Sequence, residues 1–206
     1  MTKIPTLALA APLLVTTEAQ AALTKGRPLK TGQTTTYGAA GDTWAGLSRM
    51  YNDLGNGVIK DQRTGLFWEK KSDDGGVHDK DIAYTLSTGD PWNFDGTAAT
   101  LFLATLNASP CFAGFCDWRL PTRFELETIL DLGNGHPAVP AVFNTGCTAG
   151  CTVTTCSCTP ADIGTWSSST YQNGPNYAWG VYFPDGTVYG SSKTSNFFVR
   201  AVRSGS

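Results

Sequence analysis

The sequence predicts an α+β domain, with short antiparallel strands at its two ends, two helices between them and long irregular loops. Three observations predict it: a β-hairpin pattern over residues 58–69, a capping-box helix start at Thr122-Arg123-Phe124-Glu125, and an aromatic hairpin around Pro184-Asp185-Gly186-Thr187. Composition agrees. Only 16% of the residues are charged while glycine alone supplies 23 of 206, a usage that suits a turn-rich fold of many short strands.

Taken in order, Val58-Ile59-Lys60-Asp61 and Leu66-Phe67-Trp68-Glu69 are β-prone runs on either side of a polar turn that ends in Gly65. Residues 70–95 are polar, contain Asp73-Asp74-Gly75-Gly76 and read as a loop. A first helix is expected over 97–107, capped by Asp95, with Ala98, Leu101, Phe102 and Leu106 on its apolar face. The second is expected over 122–132. Pro121 precedes its capping box, Leu126, Ile129 and Leu130 recur at helical spacing, and Gly133-Asn134-Gly135 stops it. From His136 to Gly164 the chain is irregular and rich in Pro, Thr and Cys, a length that needs some ordering device other than regular structure. Tyr177–Phe183 and Val188-Tyr189 flank the Asp-Gly turn, and a last strand is expected over 197–203.

Ahead of this domain, Lys3 is followed by an apolar run from Leu7 to Val15 and by small residues ending in Ala19-Gln20-Ala21, the order of a cleaved signal peptide. Such a run falls well short of the roughly 20 apolar residues that span a bilayer. The organisation expected is therefore a signal peptide over 1–21, an arm or linker over 22–43 and one domain over 44–204, exported to the periplasm, the cell surface or the medium. Cleavage removes Lys3 and Glu18 together, so the net charge stays at −2, without the basic stripe of a nucleic-acid binder.

All six cysteines, Cys111, Cys116, Cys147, Cys151, Cys156 and Cys158, lie in the domain, and an even count in an exported chain reads first as disulfides. Cys111 and Cys116 are close enough in sequence for a local bridge, which leaves the last four to pair among themselves in an order the sequence does not specify. The rival reading is a thiolate zinc site in the cluster from Cys147 to Cys158. Its spacing lacks the C-x2-C knuckles typical of such sites.

Four separated motifs then occur in one order: the hairpin from Gly57 to Trp68, Asp117-Trp118-Arg119-Leu120-Pro121-Thr122 with Glu125-Leu126, Trp166-Ser167-Ser168-Ser169, and Val199-Arg200-Ala201-Val202-Arg203. Together they resemble the Lcl C-terminal domain-like family, over about residues 44–204. The resemblance implies a fold similar to C-type lectins and to the formylglycine-generating enzyme group, with two helices against a twisted antiparallel sheet. It also implies a bacterial, exported setting and an adhesin-type role, one characterised type binding sulfated glycosaminoglycans as a trimer. The cysteine-bearing insert between Phe143 and Trp166 departs from that family's pattern.

No catalytic motif is present. His78 and His136 show no metal-ligand spacing and read as solvated loop residues, Trp166-Ser167-Ser168-Ser169 is not a nucleophile elbow, and no phosphate loop occurs. The enzyme reading, by descent from the formylglycine-generating group, lacks a cysteine after Cys158 to carry that chemistry. Asp53, Asn56 and Asp61 offer oxygen at spacings a calcium loop can use, the one cofactor candidate. Trp68, Trp118, Trp166 and Trp179 read as core, and Arg119, Arg200 and Arg203 as partners of Asp117, Glu125 or Asp185. Ligand-binding residues are sought in the C-terminal loops, at Tyr171, Tyr177, Tyr182, Tyr189 and Lys193. The expected function is a non-enzymatic recognition or adhesion module for glycan or a protein partner. The alternative is a structural, self-associating subunit that exchanges the arm 22–43.

Overall fold

Successive side chains of a strand point to opposite faces, so a strand apolar at consecutive positions must be covered on both sides. Val58 and Ile59 are such a pair, both wholly buried, one in each of two hydrophobic clusters. A computed structural model describes residues 29–38, 46–90 and 93–205, and the expected signal peptide over 1–21 lies outside them. Among the described residues are seven strands: β1 (Tyr51–Asp53), β2 (Val58–Asp61), β3 (Leu66–Glu69), β4 (Thr165–Thr170), β5 (Tyr177–Tyr182), β6 (Thr187–Ser192) and β7 (Val202–Ser204). They form two antiparallel sheets, ordered β1-β2-β3-β7 and β4-β5-β6. The α+β expectation holds in that form, with the strands divided between two sheets.

The first hairpin follows its local chemistry. Asp61 accepts hydrogen bonds from the Arg63 and Thr64 amides and the Thr64 hydroxyl, and Gly65 turns the chain at φ 76°, where a Cβ is disfavoured. Helix α1 is wound as a π-helix over Ala98–Leu103 and as an α-helix over Ala104–Asn107, burying Ala98, Phe102 and Leu106. Asp95 does not cap it. Its carboxylate accepts from the Thr88 amide and hydroxyl, and Thr97 spends its hydroxyl on the Thr85 amide.

Helix α2 (Arg123–Thr128) has the expected capping box: the Thr122 hydroxyl accepts from the Glu125 amide, and the Glu125 carboxylate from the Thr122 amide. It ends before the expected residue 132 because side chains distant in sequence capture its last carbonyls. Tyr51 and Arg49 both donate to the Thr128 carbonyl, and Arg49 also to that of Leu130. Leu126 and Ile129 pack with Trp68, Phe143, Val181 and Val202 in one cluster, and Phe102, Trp118, Trp166 and Ala201 belong to the other.

The last strand is interrupted. Phe197 pairs with Tyr84 and Phe198 with Thr165, then Val202 pairs with both Trp68 and Arg119, so the C-terminal segment joins the two sheets. Within the arm, residues 29–33 lie against the body: Leu29 pairs with Leu47, the Leu132 amide donates to the Thr31 carbonyl, and Gly32 and Gly133 meet backbone to backbone.

The cysteines resolve into Cys111–Cys116 and a nested pair, Cys147–Cys158 outside Cys151–Cys156, and no described cysteine is free. The nested bridges order the long loop, which also pairs Thr145 with Ser157 and donates from the Cys158 amide to the Lys71 carbonyl. Among the described residues no helix is long and apolar enough to cross a membrane. Bridges of this density belong to chains that mature in an oxidising compartment.

Candidate binding groove

Antiparallel pairing decides which aromatic side chains can share a surface. Tyr177, Trp179 and Val181 alternate with Ala178, Gly180 and Tyr182 along β5, and the register sets Trp179 opposite Gly190 and Gly180 opposite Tyr189. The expected ligand residues therefore separate. Tyr171 and Tyr177 stand with Trp179 on the face toward α2, and with Asn173, Gly174 and Gly190 they line an open groove of ≈ 500 Å³. Tyr182 and Tyr189 point the other way, Tyr189 packing against Phe197. Lys193 lies in a neighbouring cleft of ≈ 320 Å³ with Leu86, Asn93, Phe94, Ser168 and Thr170.

The groove is held open by its own backbone. The Tyr171 amide donates to the Tyr177 carbonyl, and the Gly174 and Tyr177 amides close two tight turns in the loop between them. Trp179 meets Tyr171 edge-on at 5.1 Å, and the Arg123 guanidinium lies 4.8 Å from the Trp179 ring while bonding Glu127 at 2.6 Å. Gly190 lies across from Trp179 without a side chain, and a Cβ there would reach ordinary contact with the Tyr171 ring at 3.9 Å. Among the described residues no carboxylate lines the groove. Trp179 escaped the sequence reading because its hydrophobic neighbours mimic a core strand. Trp68, Trp118 and Trp166 are buried as expected, whereas Trp179 is half exposed.

The other candidate residues are committed elsewhere. Asp53 bonds Lys70 at 2.7 Å and the Gly55 amide, and Asp61 holds its turn, so two of the three possible calcium ligands serve local structure, while Asn56 sits on the exposed bend between β1 and β2. Arg119 grips Glu125 through two bonds of 2.7 and 2.8 Å, and Arg203 grips Asp117 at 2.7 and 3.2 Å. Although burial would raise it, the Glu125 carboxyl is held below its ordinary value by Arg119 and the Thr122 amide.

A buried polar cluster lies beneath the cysteine loop. Glu69 bonds His78 at 2.7 Å, Lys71 at 3.4 Å and the Ala201 amide at 2.8 Å. His78 also packs at a tilt against Phe112, ring centres 4.1 Å apart, so it is a partnered residue and not the solvated one expected. Arg200 reaches the carbonyls of Glu69 and Cys158 rather than a carboxylate. Burial opposes charge on Glu69, Lys71 and Arg200. It pushes the Lys71 ammonium down and the Arg200 guanidinium down to about 10, while Lys71 and His78 overcome it at Glu69 and hold that carboxyl low.

The four motifs sit at structural joints: the first hairpin, the α2 cap with its Arg119–Glu125 fork, the start of β4, and the segment joining the sheets. A sequence profile of the Lcl C-terminal domain matches residues 57–203, most of the chain. The chain belongs to the Lcl C-terminal domain family. No curated protein matches it. In this Lcl C-terminal domain the matched stretch contains both sheets except β1 and the end of β7, together with the groove and the cysteine loop.

Proposed function

We propose that this Lcl C-terminal domain is an exported, non-enzymatic recognition module on a C-type-lectin-like scaffold, and that it binds glycan in the groove of Tyr171, Tyr177 and Trp179. The observation that carries the reading is three aromatic rings sharing an open groove with Asn173, on the same face as Arg123. Sugar rings offer a C–H face to an aromatic surface and hydroxyls to the polar groups around it, and binding sites commonly combine an apolar floor with a few placed polar groups. The long loops from 70 to 95 and from 136 to 164 and the disulfides fit a domain displayed outside the cytoplasm.

The test is a glycan array probed with the disulfide-intact protein, with and without a calcium chelator, beside Trp179→Ala and Gly190→Val. The expected result is a glycan set retained in chelator, because among the described residues no carboxylate lines the groove, and lost from both variants. Binding that survives Gly190→Val with unchanged affinity refutes the groove as the site. Absence of binding to any glycan refutes the glycan reading.

A further inference from the structure

The cysteine loop holds four sulfurs in one place, and their packing has a use that the disulfides conceal. Across the two bridges, the Cys151 and Cys158 sulfurs lie 3.8 Å apart, and those of Cys156 and Cys158 lie 3.9 Å apart. The sulfurs of Cys147, Cys151 and Cys158 are all within 4.8 Å of one another. Zinc bound tetrahedrally by thiolates at about 2.3 Å sets its sulfurs about 3.8 Å apart. Two non-bonded separations thus already equal the edge of that tetrahedron. The two bonded pairs would have to part, and the Cys147 and Cys156 sulfurs, the one pair farther apart than 4.8 Å, would have to draw together.

We propose that reduction converts this nested pair of bridges into a zinc site formed by Cys147, Cys151, Cys156 and Cys158. Backbone contacts keep the sulfurs together once the bridges open. The Cys158 amide donates to the Lys71 carbonyl, the Asp73 amide to the Cys151 carbonyl, the Gly150 amide to the Asp73 carbonyl, and Thr145 and Ser157 exchange both their bonds. Local charge favours the same outcome. A tetrathiolate zinc centre carries two net negative charges, and Arg200, wholly buried, donates to the carbonyl of Cys158 itself. Each bridge also pairs a half-buried cysteine, Cys147 or Cys151, with a buried one, which gives a reductant a sulfur to reach.

The chemistry balances. Two equivalents of a dithiol reductant open the two bridges, each leaving as its own disulfide after delivering two electrons and two protons. The four thiols then bind one zinc ion with release of four protons. The site is separate from the groove, and the inference does not rest on glycan binding.

The experiment uses the full chain carrying Cys111→Ser and Cys116→Ser, so that only the four cysteines concerned remain. It is reduced without oxygen by a water-soluble phosphine, which takes up the oxygen of one water per bridge, and titrated with cobalt(II) as a spectroscopic stand-in for zinc. The expected result is one cobalt per chain, with thiolate charge-transfer and tetrahedral d–d bands, displaced by zinc and released on reoxidation. Absence of those bands in a reduced chain overturns the proposal, whether or not that chain keeps its near-ultraviolet circular dichroism. Bands that persist after Cys151→Ser and Cys158→Ser are added also overturn it.

Discussion

Replacing Glu69 by Gln is the sharpest test of the buried cluster, because it removes a charge and almost no volume. Glu69 is wholly buried, and its Oε2 accepts from the Ala201 amide, a bond the Gln carbonyl can keep. What disappears is the negative charge facing Lys71, itself buried with its ammonium 4.9 Å from the Phe102 ring. Removing one partner of a buried ion pair costs about 3–5 kcal/mol, mostly from the charge left unpaired. At roughly 2–4 °C per kcal/mol for a chain of this size, the melting temperature should fall by about 6–20 °C. The assay is urea unfolding of the disulfide-intact protein, followed by tryptophan fluorescence. Lys71→Met places an apolar side chain against Phe102, so the double variant should be more stable than Glu69→Gln alone. A loss below about 1 kcal/mol, in the range of an ordinary surface change, or strict additivity in the double variant, would refute the reasoning.

Acid should act on the same cluster. The Glu69 carboxyl is held below its unfolded value of 4.5, so its contribution is present above that pH and is lost as pH falls through the lower folded value. Stability measured from pH 6 downward should therefore decline more steeply in the parent than in Glu69→Gln, and parallel slopes would count against the assignment. Thr122→Ala removes the hydroxyl that caps α2 and should cost about 1 kcal/mol in the same urea assay. Alkylation of the unfolded but unreduced protein should add no label at any of the six cysteines, whereas alkylation after reduction should label all of them, read by mass spectrometry.

The features legible in the sequence were those whose cause is local. The turn at Gly65 is set by Asp61 and Thr64, the α2 start by Thr122 and Glu125, and the β5–β6 turn by Asp185, whose carboxylate accepts from the Thr187 amide. What stayed hidden depends on partners far along the chain. The early end of α2 is imposed by Arg49 and Tyr51, 77 to 81 positions from the carbonyls they bind. The role of His78 depends on Glu69 being buried, which its polar loop does not announce. At the groove, the sequence pointed to the C-terminal loops, but which of their side chains share a face required the strand register. That register kept Tyr171 and Tyr177, turned Tyr182 and Tyr189 away, and supplied Trp179 in their place.

The final segment has a consequence for the order in which the molecule can be made. Phe67 pairs with Arg203 and Trp68 with Val202, while Phe198 pairs with Thr165 and Phe197 with Tyr84, so the strand pairing that joins the two sheets waits for residues 197–203. Contacts this distant in sequence form slowly. A nascent chain therefore keeps its two halves unclosed until that segment has emerged, the condition a polypeptide needs if it is to be threaded unfolded across a membrane. If the chain is exported as proposed, closure falls to the far side, where the oxidants that set its cysteine bridges are found.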